Sequence, residues 1–119
     1  VVRWLDAQPS HHTALTAVTV AEILFGIERL PAGKRLRAFA EAAADLFDNE
    51  FKGRILPFDT DSALHYATEA ATAERQGRSV SMADAQIAAI CLANEATLAT
   101  RKTRDFECFS VPAINPWQE

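Results

Sequence analysis

The chain has 119 residues, 49% of them apolar, and its 12 basic and 16 acidic side chains give a formal net charge of −4. That length and composition favour one domain over residues 1–119 with a packed core, and they exclude a disordered chain. The mild acidity also excludes the broad basic footprint of a protein that holds nucleic acid by charge alone, while leaving room for a nuclease whose bound metal offsets local negative charge.

Taken in order, residues 1–8 read as the end of a helix, with Val1, Val2 and Leu5 on one face and Pro9 closing it. Residues 13–18 have the Thr, Ala, Leu and Val content of a strand. A helix then starts at Thr19 and reaches Leu30, with Val20, Ile23, Leu24, Ile27 and Leu30 as its apolar stripe. Pro31 and Gly33 break it. A second helix spans residues 34–49, with Leu36, Phe39, Ala40, Ala43 and Phe47 turned inward. Residues 54–58 form a short strand. Asp59 caps a helix over residues 60–76, which Gly77 stops. Ser81 caps a further helix to Asn94 that is apolar nearly all round, the mark of a buried helix. Residues 96–100 and 111–114 are the last strands. Strands alternating with helices imply an α/β layer fold with a mostly parallel sheet.

Three acids fall at one edge of such a sheet. Glu22 follows the first strand, Asp84 opens the helix that feeds the strand at residues 96–100, and Asp105 follows that strand. Ligands bind at the carboxyl ends of parallel strands. Clustered carboxylates repel one another, and their common use is to hold a hard cation such as Mg²⁺. The expectation is a site with carboxyl groups on the order of 4–8 Å apart, suited to metal-assisted hydrolysis of a phosphodiester. Arg101, Lys102 and Arg104 form a basic patch beside it that suits phosphate, and Ser81 and Thr100 stand where they would orient a ligand or water.

Each residue also has a plainer reading. Thr19 with Glu22, and Ser81 with Asp84, have the spacing of capping boxes. Asp105 fits a turn beside arginines, and the basic patch fits a solvated loop. His11 and His12 lie in a turn without further metal ligands at a recognisable spacing. His65 and Glu69, four apart on one helix, read as a surface pair. Phe25, Phe39, Phe47 and Phe58 read as core rather than as a base-stacking platform. Cys91 and Cys108 suit a reduced, cytoplasmic protein, with Cys91 packed in a helix. No apolar run approaches a membrane span.

The segments AVTVAEILFGIERL, RILPFD, SMADAQIAAI and LATRKTRDF, with a terminal INPW, resemble a PIN-domain protein, in the branch of VapC-like and FitB-like toxins. The resemblance runs from Val1 to Trp117 and rests on the four motifs occurring together and in order. It implies a three-layer α/β/α fold and an Mg²⁺- or Mn²⁺-dependent endoribonuclease. It further implies a homodimer, a small antitoxin as inhibitor, and DNA contacted only through that antitoxin. The acidic positions carried over are Glu22, Asp84 and Asp105. Two departures stand out. The family opens with a central strand bearing an aspartate, and nothing like it precedes Val1, so the resemblance implies that this segment is truncated here or supplied as a separate piece. Lys102 also stands where the family often has Asn or Asp. Both departures favour an alternative, a catalytically silent module that pairs with a DNA-binding antitoxin; the retained acids oppose it.

Overall fold

The computed structural model describes residues 13–116, so the expected first helix and the His11–His12 pair lie outside the described residues. Strand β1 is Leu15–Thr16 and leads directly into helix α1, Ala17–Glu28. The hydroxyl of the buried Thr16 accepts the backbone N–H of Thr19 at 3.0 Å and caps the helix. This corrects the expected start at Thr19. The β-branched run after Thr16 favours strand, but a satisfied cap contributes about 1 kcal/mol and outweighs that preference. Glu22 consequently sits in the second turn of α1, where it has no capping role.

Helix α2, Lys34–Asp45, follows a short connection and runs into a wider turn at Leu46–Glu50. Strand β2, Ile55–Leu56, pairs parallel with β1, Leu15 opposite Ile55. Arg54 braces this pair, donating to the carbonyl of Thr13 at 2.6 Å and to its hydroxyl at 2.8 Å. Helix α3, Thr60–Arg75, is capped by Asp59, which accepts the backbone N–H of Ser62 at 3.0 Å and its hydroxyl at 2.9 Å. These bonds, the backbone one first, hold the Asp59 carboxyl below its ordinary range. Gly77, at φ +70°, takes the left-handed turn that ends the helix. Helix α4, Met82–Ala93, is capped by Ser81, and strand β3, Leu98–Ala99, pairs parallel with strand β4, Ala113–Ile114. A 3₁₀ turn at Thr103–Phe106 lies between them.

The core forms around α4. Ala85, Ile87, Ala88, Ala89, Ile90 and Cys91 are all buried, as the all-round apolar pattern predicts. Its alanines let α3 approach closely, and Phe106, Phe109 and Val111 close the far side. The phenylalanines expected in the core are elsewhere. Phe25 is 64% exposed and Phe39 48%, Phe58 is exposed, and Phe47 is half-buried. In α2 only Ala43 is buried, and in α1 no residue is. The periodicity of α1 and α2 is real, but no described element covers their outer stripe.

Glu69 also departs from its expected surface pairing with His65. It is buried, and it accepts the backbone N–H of Ser110 at 2.6 Å and the Ser110 hydroxyl at 3.1 Å. It thus ties α3 to the segment before β4. Glu69→Ala removes both acceptors and is expected to destabilise the fold by about 1–3 kcal/mol, with Glu69→Gln recovering part of the loss. Urea unfolding measures both variants, and a midpoint unchanged in Glu69→Ala would refute this role.

The parallel strands form two ribbons, β1–β2 and β3–β4, and among the described residues neither ribbon pairs with the other. Between them lies a cleft of about 440 Å³, lined chiefly by Leu15, Leu56, Cys91, Leu98 and Ala99. Burial pushes the Cys91 thiol up to about 11. A thiol kept neutral in the fold but free to ionise when unfolded supports the fold fully below pH 9. That support is lost as pH rises from 9 through 11, by about 2–3 kcal/mol at 1.36 kcal/mol per unit. The alkaline decline in stability is expected to be shallower by that amount in Cys91→Ala, measured by urea unfolding at pH 8 and pH 11.

Candidate functional site

Helix α4 packs against α1, β1 and the 3₁₀ turn, so the elements carrying all three candidate acids meet around it. Asp84 is the third residue of α4 and is half-buried. Its backbone N–H donates to the Ser81 hydroxyl at 3.0 Å, while its carboxylate takes no hydrogen bond from any described residue. Glu22 is exposed in the second turn of α1. Asp105 is exposed in the 3₁₀ turn, where its N–H donates to the carbonyl of Lys102 at 2.9 Å.

The supporting residues are more locally engaged than the spacing suggests. The Ser81 hydroxyl is the cap of α4, and the Thr100 hydroxyl accepts the N–H of Lys102 at 3.0 Å. Both oxygens keep a lone pair, but their first task is to shape the turns beside Asp84 and Asp105. Arg101, Lys102 and Arg104 all lie exposed just past β3, at its carboxyl end.

Among the described residues, no group of three His, Cys, Asp or Glu side chains could hold a metal ion. The donors are of the right chemistry, hard carboxylate oxygens that suit Mg²⁺ or Mn²⁺. Their number and convergence are not sufficient: Glu22, Asp84 and Asp105 do not by themselves form a metal seat.

A second concave feature lies between α1 and α2. A groove of about 620 Å³ runs between α1 and α2, floored by Ile23, Gly26, Ile27, Leu30, Phe39 and Leu46. Gly26 stands in the last turn of α1, third from its end. A Cβ built there meets nothing within 4 Å.

Parallel β-ribbons around a buried α4, with acids on α4 itself, on α1 and on the 3₁₀ turn packed against it, define the class. The family model described as PIN domain matches residues 1–109, and the chain belongs to that family. Within it, the chain is 40% identical over 118 residues to VapC ribonuclease Y4jK of Sinorhizobium fredii, covering 99% of this chain and 84% of that protein. It is 37% identical over 119 residues to Toxin FitB of Neisseria gonorrhoeae, covering 100% of this chain and 86% of that one. The structure of FitAB bound to an IR36 DNA fragment superposes with a TM-score of 0.89 at 37% identity, over 98% of this chain and 81% of the other. The expected α/β fold with parallel strands is therefore the fold found. Among the described residues, no helix is long and apolar enough to cross a membrane.

Proposed function

We propose that this protein is the endoribonuclease toxin of a toxin–antitoxin pair, hydrolysing RNA phosphodiester bonds in the cytoplasm with Glu22, Asp84 and Asp105 as its acidic residues. The observation that carries the reading is Asp84: a half-buried carboxylate at the opening of the central helix, with no hydrogen bond from a described residue to account for it. The fold caps α4 with Ser81 and the backbone of Asp84, so the Asp84 side chain is spare. Similarity to a VapC ribonuclease supports the same choice. Arg101, Lys102 and Arg104 supply positive charge at the strand end where the phosphate backbone would lie. Mg²⁺ or Mn²⁺ belongs to this proposal as cofactor, seated once a further ligand joins the three acids. The antitoxin is the inhibitor and the only link to DNA, and the homodimer implied by the family is retained.

The test is incubation of the purified full-length protein with single-stranded RNA, in Mg²⁺ and in excess chelator. Cleavage in Mg²⁺ that the chelator abolishes is the expected result. A specific observation favours a second reading: the incomplete metal set, with Lys102 beside it. A silent module that acts only by pairing with its antitoxin would leave RNA intact under both conditions while still forming the complex.

A further inference from the structure

The turn between α3 and α4 borders a further pocket, of about 300 Å³, that the site described above does not use. Its shape follows from how α3 ends. Gly77 donates to the carbonyl of Glu74 at 3.0 Å and Arg78 to that of Ala73 at 2.9 Å, the paired bonds of a glycine-terminated helix. The reversal at Gly77 carries Arg78 off the helix, so Glu74 and Arg78 border one pocket without pairing. Neither side chain has a hydrogen-bond or ion-pair partner among the described residues. Tyr66 forms the apolar wall. It packs on the core and meets the Phe58 ring edge to face at 6.0 Å, which holds its own ring in place. The buried Ala85 gives a small floor, and Met82, 65% exposed, gives a flexible rim. Ser81 joins the pocket to the acidic site. It lines the pocket, and its hydroxyl caps α4 by accepting the N–H of Asp84 at 3.0 Å.

We infer that this pocket receives a guanine base of the RNA, on a nucleotide adjoining the phosphate that is cleaved at Asp84. This rests on the ribonuclease reading proposed above. A flat apolar wall beside an unpaired anion and an unpaired cation suits a nucleobase better than a phosphate, which Glu74 would repel. Single-stranded RNA is read in this way, by an aromatic ring against the base and polar groups on its edges. Among the four bases, only guanine offers both of the patterns for which the pocket supplies partners. Its N1–H and N2–H are adjacent donors that match the two oxygens of the Glu74 carboxylate. Its O6 and N7 are adjacent acceptors that match the fork of the Arg78 guanidinium. The two side chains then approach one base from neighbouring edges. That requires an acid and a base set close together and not paired with each other, which is what the Gly77 turn provides.

The experiment maps the cleavage of a random-sequence single-stranded RNA library by the full-length protein in Mg²⁺, and repeats it with Glu74→Ala and Arg78→Ala. Both side chains are exposed and backbone bonds hold the helix end, so the variants keep the fold. The wild type is expected to favour guanosine beside the cut at least about tenfold, and each variant to lose most of that preference. Modified bases assign the contacts. Inosine lacks the N2 amine and 7-deazaguanosine lacks N7, and the wild type is expected to cut beside either more slowly than beside guanosine. Glu74→Ala should no longer distinguish inosine from guanosine, and Arg78→Ala should no longer distinguish 7-deazaguanosine. A merely structural role for either residue would not pair each variant with one base atom. Wild-type cleavage without base preference, or the full preference retained in either folded variant, overturns the inference. Variants that lose self-association by light scattering with base preference unchanged also overturn it, and give the pocket to a second copy. A wild type that cleaves no RNA refutes the ribonuclease reading, and the subsite with it, an outcome distinct from the others.

Discussion

Asp84→Asn in the full-length protein is expected to reduce RNA cleavage at least about a hundredfold, the scale seen even when a group that only orients a ligand is lost. The substitution leaves the shape of the helix start intact. The cap of α4 uses the Ser81 hydroxyl and the backbone N–H of residue 84, and asparagine retains both. What disappears is one negative charge, half-buried beside the elements that carry Glu22 and Asp105. Stability is expected to change by less than about 1 kcal/mol, since asparagine is also well tolerated in the first turn near a cap. Cleavage of a labelled RNA, with a thermal melt on the same preparation, separates the two effects. Undiminished cleavage by a folded Asp84→Asn protein would take Asp84 out of the chemistry. Lost cleavage with a collapsed melt would instead mark it as a structural residue.

A second large effect is expected at the cleft between the ribbons. Leu98 donates to Pro112 at 2.8 Å and Thr100 to Ile114 at 2.9 Å, both towards β4. Strand alternation therefore turns the N–H of Ala99 to the other edge, which faces the cleft. Leu15 donates to Arg54 at 3.0 Å, towards β2, so the opposite edge of β1 faces the cleft as well. Edges left unpaired among the described residues and flanking an apolar slot are the template for one more strand. We expect an extended apolar segment from outside residues 13–116 to fill the slot and to bring a further acid towards Asp84.

Each apolar side chain seated there contributes about 1.5–3 kcal/mol, so the segment as a whole contributes several. That is comparable with the total stability of an ordinary domain, about 5–15 kcal/mol. Starting the chain at Thr13 is therefore expected to lower the melting temperature by tens of degrees, at about 4–8 °C per kcal/mol. It should also expose Cys91, which lines the cleft, to thiol reagents in a Cys108→Ser background. Equal melting and equal Cys91 labelling in the full and shortened chains would mean that the slot stays empty. Direct pairing of β1 with β3 in the full-length protein would likewise refute the added strand.

The two helices around the core were the most legible elements. Asp59 and Ser81 cap α3 and α4 where the residue types require, because side-chain capping is a local interaction complete within four residues. The all-apolar α4 is buried for an equally local reason, since a helix without a polar face has no stable position in water. The four motifs, three of them carrying Glu22, Asp84 and Asp105, were enough to place the chain among PIN domains.

Other features were decided only by the tertiary structure. Thr16 rather than Thr19 caps α1, because both residues suit the role and burial against β2 selected between them. Glu69 became a buried strut because a partner 41 residues away, Ser110, came within reach, and no helical spacing encodes such a contact. Phe25 and Phe39 carry the pattern of core residues, yet they lie exposed on a groove. A periodic apolar stripe specifies that something must cover it. Whether the cover comes from the chain's own core or from another polypeptide depends on which elements the fold brings opposite. For the outer faces of α1 and α2 it brings none among the described residues.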